Sequence, residues 1–454
     1  MLTIYSLPEH TNRLRYVACH LFEGVLGTAF RITSDQNDYL GQKTPCINYS
    51  EHPLGHGLQM VPHGLLAERG VRAVPALNES EWKGLFCFFY SGKGDIPFDL
   101  FSASFYLLTL YEEYDAAATD EHGRFDHRAS LLFRHGCLET PLVDRWAYLL
   151  KEALEAAGFP TGDFRGRQYR AIHTYDIDHP YLYRNKGLVK NAGGALRDLL
   201  RGNVRAVGQR IRVLLRLEPD PFWAALQTIY AHHTHHTHHT HHACNCYLFV
   251  LLGRRGKHGR TTLYPTRSYF RYLKRLDLPQ IGLHPSYDTF LNSKQLKKEK
   301  AGLERILQRE VTCSRQHFLR LRHPDTFRDL LSAGIREDFS LAFSHAPGFR
   351  SGTAVPHPFY DMQTESPTAL LLRPTVLMDT TLIRHLHLSP DAALQRVKSL
   401  ADACKQSGGD FLSLWHNSNL AAAPAENPWT GVHRQAVRYA VSLEEHGHAV
   451  SFVI

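Results

Sequence analysis

The chain has 454 residues, of which 43% are apolar, and it carries a formal charge of +8 with a pI near 9.0. This length exceeds what one hydrophobic core commonly serves, so it predicts two folded domains and excludes a mainly disordered chain. The mild basic excess favours anionic partners. Because the basic residues cluster without interleaved aromatic residues or a recognised motif, we expect no nucleic-acid partner.

Cysteine usage and the N-terminal residues predict a cytoplasmic protein with reduced thiols. The eight cysteines are scattered and show no C-x-x-C spacing, which argues against a disulfide framework or a zinc ribbon. Charged and polar residues (Glu9, His10, Arg13 and Arg15) stand where a signal peptide would need its apolar stretch. No run elsewhere approaches the length of a membrane span.

Residues 1–165 predict a smaller α+β domain. Short alternating strands come first, followed by an amphipathic helix at 99–114 and a second helix at 141–156. A glycine and a proline follow the second helix, as expected of a helix end. The turn-rich residues 161–166 mark the predicted domain boundary.

Residues 168–454 repeat the order strand, loop, helix, which predicts an α/β domain with a parallel sheet long enough to close as a (β/α) barrel. The clearest unit is a helix at 390–406, which ends at a Gly-Gly pair and precedes an apolar run at 411–414. The predicted strands are 169–172, 246–252, 280–283, 311–319, 338–343, 375–378, 411–414 and 449–454.

Two insertions interrupt this pattern. Residues 184–217 hold nine Lys or Arg and one Asp, with leucine, valine and isoleucine at helical spacing. Such a basic helix can lie on an anionic membrane, here the inner membrane face, or hold a phosphate-bearing substrate; the alternative is a helix that packs its apolar side on the barrel. Residues 232–242 repeat His-His-Thr, and we interpret them as a low-complexity loop rather than a metal site.

Three separated fragments carry acids and imidazoles directly after predicted strands. They are Asp176 with Asp178, His284 with Asp288 four residues later, and His416. Because parallel strands end at one edge of a sheet, we expect these side chains to converge. Carboxylates two apart face the same side of a strand, so one can ligate a metal while the other accepts a proton from water. The alternatives are an Asp that caps the following turn and histidines satisfied by hydrogen bonds in loops or the core.

Donors of these types are typical of a catalytic divalent ion, and the predicted cofactor is zinc, with another transition metal as the alternative. His317 is a further candidate ligand. Arg315 and Arg350 can orient an acid or clamp a substrate, and structural ion pairing is an equal alternative for each. His416 can protonate a leaving amine, with Asn417 fixing its tautomer. The predicted substrate contacts are Tyr287, Arg350, Trp415 and Asn417.

Over residues 168–454 the chain resembles the polysaccharide deacetylase family, also called the NodB-homology or carbohydrate esterase 4 family. Thr174-Tyr175-Asp176-Ile177-Asp178 is similar to the first motif of that family, Thr-Phe-Asp-Asp-Gly, with the acids separated by one residue. The resemblance implies a distorted (β/α) barrel, Asp176 as the base and Asp178 as a metal ligand. The reverse assignment of the two acids stays open.

Two further motifs are matched in part. His284 matches the first histidine of His-Ser/Thr-x-x-His, and Asp288 stands where the second would be. Residues 315–318, Arg-Gln-His-Phe, resemble Arg-x-Pro-Tyr/Phe with His317 in place of proline. The resemblance implies Arg315 as a catalytic residue and His284, Asp288 and His317 as metal ligands beside Asp178.

Leu414-Trp415-His416 matches the fifth motif, Leu-x-His, which implies His416 as the general acid, and Asp338 is placed in the fourth. Residues 105–114, 122–125 and 141–146 resemble a bacterial subgroup in which a domain of unknown function precedes the deacetylase domain. The resemblance implies a metal-dependent N-deacetylase that cleaves the C–N amide bond of an amino sugar or glycan precursor in envelope or capsule polysaccharide biosynthesis. The alternative is a catalytically inactive barrel that binds carbohydrate or serves as a scaffold.

Overall fold

Two sheets organise the chain, a four-stranded sheet near the N-terminus and a nine-stranded sheet in the remainder, and a two-stranded hairpin lies between them in sequence. The computed structural model describes residues 1–7, 11–74, 76–114, 118–158, 164–240, 245–253, 267–276, 280–421 and 427–445. The strands are β1 Leu2–Ser6, β2 Phe30–Thr33, β3 Cys46–Tyr49, β4 Leu58–Met60, β5 Ser80–Trp82, β6 Leu85–Cys87, β7 Arg170–Ile177, β8 Asn245–Leu251, β9 Ile281–His284, β10 Cys313–Ser314, β11 Glu337–Asp338, β12 His357–Asp361, β13 Ser366–Leu372, β14 Leu377–Met378 and β15 Asp410–His416.

The α-helices follow the strands in both parts of the chain. They are α1 Thr11–Ala18, α2 Gln36–Leu40, α3 Leu100–Leu108, α4 Leu131–Arg134, α5 Leu142–Ala156, α6 Leu188–Leu200, α7 Val204–Leu214, α8 Pro221–Thr240, α9 Arg267–Arg275, α10 Ser293–Leu307, α11 Asp325–Ser332, α12 Pro390–Gln406 and α13 Pro428–Glu445. None of the described helices is long and apolar enough to cross a membrane.

The N-terminal sheet is parallel throughout, in the order β2-β1-β3-β4. Helix α3 begins after Asp99, whose carboxylate accepts the backbone N–H of Ser102, and all of its residues are buried. The helix predicted at 99–114 ends earlier than expected, because Leu110 takes a left-handed conformation (φ 51°) before a short 3-10 turn. The helix predicted at 141–156 is confirmed as α5, which begins after Pro141.

The nine-stranded sheet has the order β12-β13-β11-β10-β9-β8-β7-β15-β14, and its pairs are parallel except for the hairpin of β12 and β13. The predicted α/β class and parallel sheet are therefore confirmed, as is helix α12 with Ser389 as its N-cap. The strands predicted at 311–319 and 338–343 are much shorter in the structure, where they correspond to β10 and β11. In the first of these segments, the chain continues after β10 into a 3-10 helix, His317–Leu319. The hairpin was not predicted, and residues 449–454 lie outside the described residues.

This sheet curls strongly. The ring of Phe339, next to β11, lies 4.6 Å from that of Tyr247 on β8, measured between ring centroids. In the sheet order these strands are three spacings apart, which is about 14 Å in a flat sheet. Arg315, which follows β10, likewise donates to Thr174 on β7 with an N–O distance of 2.6 Å. Side chains from strands that are not neighbours thus meet inside the curl.

The curl stops short of a closed barrel in the part of the chain that the structure describes. No described pairing joins the edge strands β12 and β14. Helix α1 lies against the β12 edge instead: Tyr16 donates to the carbonyl of Pro358 at 2.8 Å, and Arg13 pairs with Glu365 at 2.6 Å. The edge of the sheet is therefore covered by the N-terminal part of the chain.

The insertion at 184–217 is a helical hairpin rather than one helix. Gly202, in a left-handed conformation (φ 69°), ends α6, and Asn203 caps α7 by accepting the N–H of Ala206. Many of its apolar side chains are exposed, so the alternative in which they pack on the sheet is wrong. The backbone of residues 232–240 continues α8 and is not the loop expected there, and 241 and 242 lie outside the described residues.

A buried ion pair joins the N-terminal part to the nine-stranded sheet region. The guanidinium of Arg350 donates to both oxygens of Glu113, at 2.8 and 2.6 Å, and both side chains are 2% exposed. Nearby, Asp144 accepts from the Thr353 hydroxyl and the Ala354 N–H. One apolar core spans the two parts of the chain, since Phe343 packs in it together with residues of helices α3 and α5.

We expect Glu113→Ala to lower the free energy of unfolding by about 3–5 kcal/mol, because Arg350 would keep a buried charge without its partner. Urea unfolding followed by circular dichroism measures this loss. Arg128→Ala is the control, since that arginine pairs with Asp126 but is 74% exposed, and its loss of stability should be much smaller because solvent screens the pair. Equal losses in the two variants would contradict the role given to the buried pair.

Candidate metal centre and active site

Three side chains converge at the carboxyl edge of the curled sheet. The Oδ1 atom of Asp178 lies 3.2 Å from Nε2 of His284 and 3.6 Å from Nε2 of His317. One potential ligand atom from each residue lies within 4.8 Å of those of the other two. Tetrahedral zinc with bonds of about 2.0–2.1 Å places its N and O ligands about 3.3 Å apart, so these separations fit a shared divalent ion.

The folding of the chain explains why these three meet. Asp178 follows β7, His284 is the last residue of β9, and His317 lies on the 3-10 helix after β10. Parallel strands deliver the residues that follow them to one edge, and the curl closes the distance between the strands. The turn after His317 uses two consecutive left-handed residues, Phe318 (φ 65°) and Leu319 (φ 50°), a strained geometry that surrounding contacts must hold.

The hydrogen bonds around these donors leave their ligand atoms available. The carbonyl of Arg315 lies 2.5 Å from Nδ1 of His284 and accepts its proton, which leaves Nε2 to face the cluster. Among the described residues, Asp178 Oδ1 and His284 Nε2 are buried without a hydrogen-bond partner. Leaving a buried polar atom without a hydrogen bond costs free energy, so two such atoms side by side are consistent with a site that binds a cation.

The Asp178 carboxylate is held in its charged form. Burial would raise its pKa, but the nearby imidazoles of His317 and His284 outweigh burial and keep that pKa well below the ordinary value. A carboxylate that stays ionised suits metal ligation.

Asp288, predicted as a fourth ligand, does not join the cluster. It lies on the short 3-10 helix Tyr287–Thr289 with its side chain exposed, and the donor group found among the described residues does not include it. A helical turn after Pro285 redirects the chain, so spacing by four does not return the carboxylate to the site. His317 supplies the third donor instead.

Asp176 lies beside the cluster and is oriented by Arg315. Its Oδ1 accepts from the Arg315 guanidinium at 3.1 Å, and its Oδ2 lies 3.6 Å from His284 Nε2. The same guanidinium donates to Thr174, to Thr375 and to the carbonyl of Phe339. Arg315 is fully buried and held by these four acceptors, so it fixes the direction of the Asp176 carboxylate.

His416 lies at the end of β15 and is paired with Asp379. The Asp379 carboxylate accepts from Nδ1 of His416 at 2.7 Å and from its backbone N–H at 2.7 Å. Burial disfavours the charged imidazolium, but Asp379, helped by Asp178 and Asp176, outweighs burial and raises the pKa of His416 to about 9. His416 therefore carries a proton at neutral pH.

Asp379 was not predicted from the sequence, although the signal was present. It follows the apolar run at 375–378, as the other site acids and imidazoles follow their own strands. The predicted partner of His416, Asn417, is buried and donates to the carbonyl of His179 instead. It fixes the loop after β7 and does not contact the imidazole.

The three other side chains that were predicted to contact a substrate make contacts with residues of the protein instead. The side chains of Trp415 and His416 point to opposite faces of the sheet, because they are neighbours on β15. The ring of Trp415 faces α13, and its centroid lies 4.8 Å from that of the His433 ring. Arg350 is neutralised by Glu113. The hydroxyl of Tyr287 contacts Nδ1 of His122 at 3.1 Å, so Tyr287 supports a wall residue of the cleft rather than lining the cleft itself.

A cleft of about 280 Å³ opens over these groups, close to the lower limit of typical ligand pockets. Asp176, Asp178, His317 and His416 form its polar floor, and Met378 and Leu414 are among its apolar lining residues. His284 is buried behind the floor. The arrangement places a carboxylate, a candidate metal position and a protonated imidazole around one space.

The N-terminal part of the chain contributes one wall of this cleft. Glu121, His122 and Arg124 line it, and Arg124 donates to the carbonyl of Phe318 at 2.5 Å in the strained turn beside His317. Sequence reasoning missed these residues because they lie far from the site fragments in the chain and follow no strand. Ser344, His345, Arg384 and His385 are among the other residues that line the cleft.

Comparisons with known proteins assign only part of the chain. Residues 2–158 match the family described as "Family of unknown function (DUF7033)". No curated protein sequence matches the chain. A "putative polysaccharide deacetylase" from Mycobacterium smegmatis is similar in structure with 11% identity and a TM-score of 0.38, covering 63% of this chain and 94% of that one.

A second solved structure, a 4-alpha-glucanotransferase from Thermococcus litoralis, shows 12% identity and a TM-score of 0.34, covering 62% of this chain and 38% of that one. TM-scores below 0.5 are too low for either structure to assign a fold family or a function here. The functional argument therefore depends on the site itself.

We expect the protein to bind one divalent ion at the cluster, and Asp178→Ala and His317→Ala to weaken that binding by at least about 100-fold, since even outer partners of metal ligands contribute about 10–100-fold. Competition with a chromogenic chelator measures the affinity for Zn²⁺. The histidines of residues 232–242 are first changed to Gln, which removes adventitious binding. Asp288→Ala is the matched control, and a similar loss in that variant would place the metal elsewhere.

Proposed function

We propose that this protein is a metal-dependent hydrolase of the polysaccharide deacetylase type that removes the acyl group from an amino sugar. The observation that supports this most is the cleft lined by Asp176, Asp178, His317 and His416, with His284 buried behind it next to Asp178 and His317. These residues follow the order of the deacetylase motifs along the chain, and their geometry suits the roles that the resemblance implies.

The metal ligands in this proposal are Asp178, His284 and His317. A divalent ion held there, most simply zinc, would polarise the amide carbonyl and lower the pKa of water. Asp176 is the better candidate for the base, since Asp178 is the carboxylate whose free oxygen faces both imidazoles. In this assignment Asp178 binds the metal and Asp176 accepts the proton.

The proton transfers are then divided between two side chains. Asp176, held by Arg315, accepts a proton from the water whose oxygen attacks the amide carbon. His416, kept protonated by Asp379, donates its proton to the nitrogen as the C–N bond breaks. The products are a carboxylic acid and a free amine.

Asp288 in place of the second motif histidine is compatible with the alternative, an inactive binding or scaffolding protein. The position of His317 weakens that ground, because it restores a nitrogen donor from the third motif. An intact acid and an intact base beside the donors also have no evident use in a scaffold. We therefore retain the hydrolase as the proposed function.

The wider proposal concerns where the reaction takes place and what the two parts of the chain do. We propose that residues 168–454 form the NodB-type catalytic domain and that residues 1–165 complete its cleft, with Glu121, His122 and Arg124 contacting the sugar. The proposed substrate is a cytoplasmic precursor in the assembly of a bacterial envelope or capsule polysaccharide. Assays with different amino-sugar derivatives would identify the acyl group and the sugar.

Acetate release from N-acetylated amino sugars, free and as nucleotide- or lipid-diphosphate derivatives, tests the activity. Asp176→Asn and His416→Ala should each reduce kcat/KM by about 10²–10⁴-fold, the usual contribution of a general acid or base. Asp288→Asn and His52→Ala, which change exposed residues of the same types, serve as controls and should retain activity. Site variants as active as the controls would rule out the mechanism.

The activity should also depend on pH in a defined direction. His416 must be protonated to act as an acid, so kcat/KM should fall as the pH rises through its pKa of about 9. Asp379→Asn removes the charge that raises this pKa and should move the alkaline limb to lower pH. The pH–rate profile of both proteins on one substrate measures the shift, and an unmoved limb would separate His416 from the titrating group.

A further inference from the structure

The helical hairpin formed by α6 and α7 exposes an unusual amount of apolar surface. Of the 18 exposed large apolar side chains in the described part of the chain, ten lie between residues 188 and 217. Leu188, Val189 and Leu200 are 80–87% exposed. Soluble proteins rarely leave such a contiguous patch uncovered, and larger patches mark a surface that binds a partner or a membrane.

On α6 these side chains form one face. With 3.6 residues per turn, Leu188, Val189, Leu196, Leu199 and Leu200 fall within an arc of about 120°. All five are exposed, at 55–87%. The apolar face of α6 therefore points away from the protein.

Helix α7 repeats this orientation. Val204, Ile211, Leu214 and Leu215 fall within an arc of about 100° and are 43–65% exposed. Both helices of the hairpin thus present an apolar face to the surroundings.

The side chains that the two helices bury are mostly polar instead: they are Asn191 on α6 and Arg210 and Val213 on α7. The buried guanidinium of Arg210 pairs with Asp198 at 2.6 Å, donates to Asn191 at 3.1 Å and lies 4.6 Å from the ring centroid of Tyr183. Gly194 makes room for it, since a Cβ there would lie 2.8 Å from both terminal guanidinium nitrogens. Polar residues inside and apolar residues outside reverse the pattern of a helix that packs on a protein core.

Charge identifies the kind of surface that this face would meet. Residues 184–217 contain nine Lys or Arg and one acid, and that acid, Asp198, is already paired with Arg210. Arg201, Arg205 and Arg216 are exposed, and no ion pair is seen for them among the described residues. A second copy of the hairpin would bring like charges together, whereas anionic lipid headgroups would neutralise them.

We propose that α6 and α7 lie in the interface of a bilayer that contains anionic lipids, with their apolar faces among the acyl chains and the arginines at the headgroups. The helices have 13 and 11 residues, which suits a position along the surface and not across it. This interaction is independent of the hydrolase proposal, because it requires no substrate.

The base of the hairpin is fixed next to the site. Asp220 accepts the backbone N–H groups of Leu182, Tyr183 and Arg184, which joins the two ends of the insertion. Strand β7 ends at Ile177, and Asp178 follows it at the edge of the sheet that carries the cleft. The insertion begins a few residues further along the chain, on the same side of the sheet. A bilayer bound to the hairpin would therefore lie on the side of the molecule where a lipid-anchored substrate could enter.

Co-sedimentation of the full-length protein with vesicles tests this proposal. The protein should bind vesicles of phosphatidylcholine mixed with phosphatidylglycerol, and binding should fall with added salt and be at least about tenfold weaker on phosphatidylcholine alone. The variants Leu196→Gln/Leu199→Gln/Leu200→Gln and Arg201→Gln/Arg205→Gln/Arg216→Gln should each lose at least about tenfold. The control variant Leu40→Gln/Val71→Gln/Leu291→Gln changes exposed apolar residues elsewhere and should bind like the parent protein.

Two further measurements make the result decisive. Leu196→Trp should show a blue shift of its tryptophan emission with mixed vesicles, since its side chain enters the apolar region. Sedimentation velocity reports whether the apolar triple variant changes the oligomeric state. Failure to bind mixed vesicles, equal binding by all variants, or a hairpin variant that alters self-association but not vesicle binding would each overturn the proposal.

Discussion

A single buried cation, Arg315, holds the site together. Its guanidinium is fully buried inside the curl, where an unpaired charge would cost several kcal/mol. Asp176, Thr174, Thr375 and the carbonyl of Phe339 satisfy it, and its own carbonyl fixes the tautomer of His284. Because these partners come from different strands, the curl of the sheet, the direction of the Asp176 carboxylate and the orientation of the His284 imidazole depend on the same residue.

The electrostatics of the cleft follow from how its charges are distributed. Two carboxylates, Asp176 and Asp178, both lie near Nε2 of His284, and each also has a neighbour of its own, Arg315 for Asp176 and His317 for Asp178. Asp379 adds a third carboxylate, which raises the pKa of His416 and also accepts a hydrogen bond from Asn419. The pKa of His416 is raised while that of the neighbouring Asp178 is held low, so the two groups differ in protonation at neutral pH.

The two parts of the chain depend on each other. The N-terminal part covers the open edge of the curled sheet, shares the buried pair of Glu113 and Arg350, and supplies Glu121, His122 and Arg124 to the cleft. An accessory module joined by a linker would not need such contacts. The shape of the cleft is therefore decided jointly by segments that are about 200 residues apart in sequence.

The sequence determined the α/β class, helix α12, most strands of the large sheet, and the convergence of Asp176, Asp178, His284, His317 and His416 at one edge of that sheet, because period, caps and strand ends are local properties. It could not place Asp288, Asn417, Trp415 or Arg350, since a 3-10 turn, a β alternation and a distant Glu113 decide where these side chains point. It also showed the amphipathic character of residues 184–217 but not which face points outward. Only the tertiary structure decided these matters, because they depend on contacts between residues far apart in the chain.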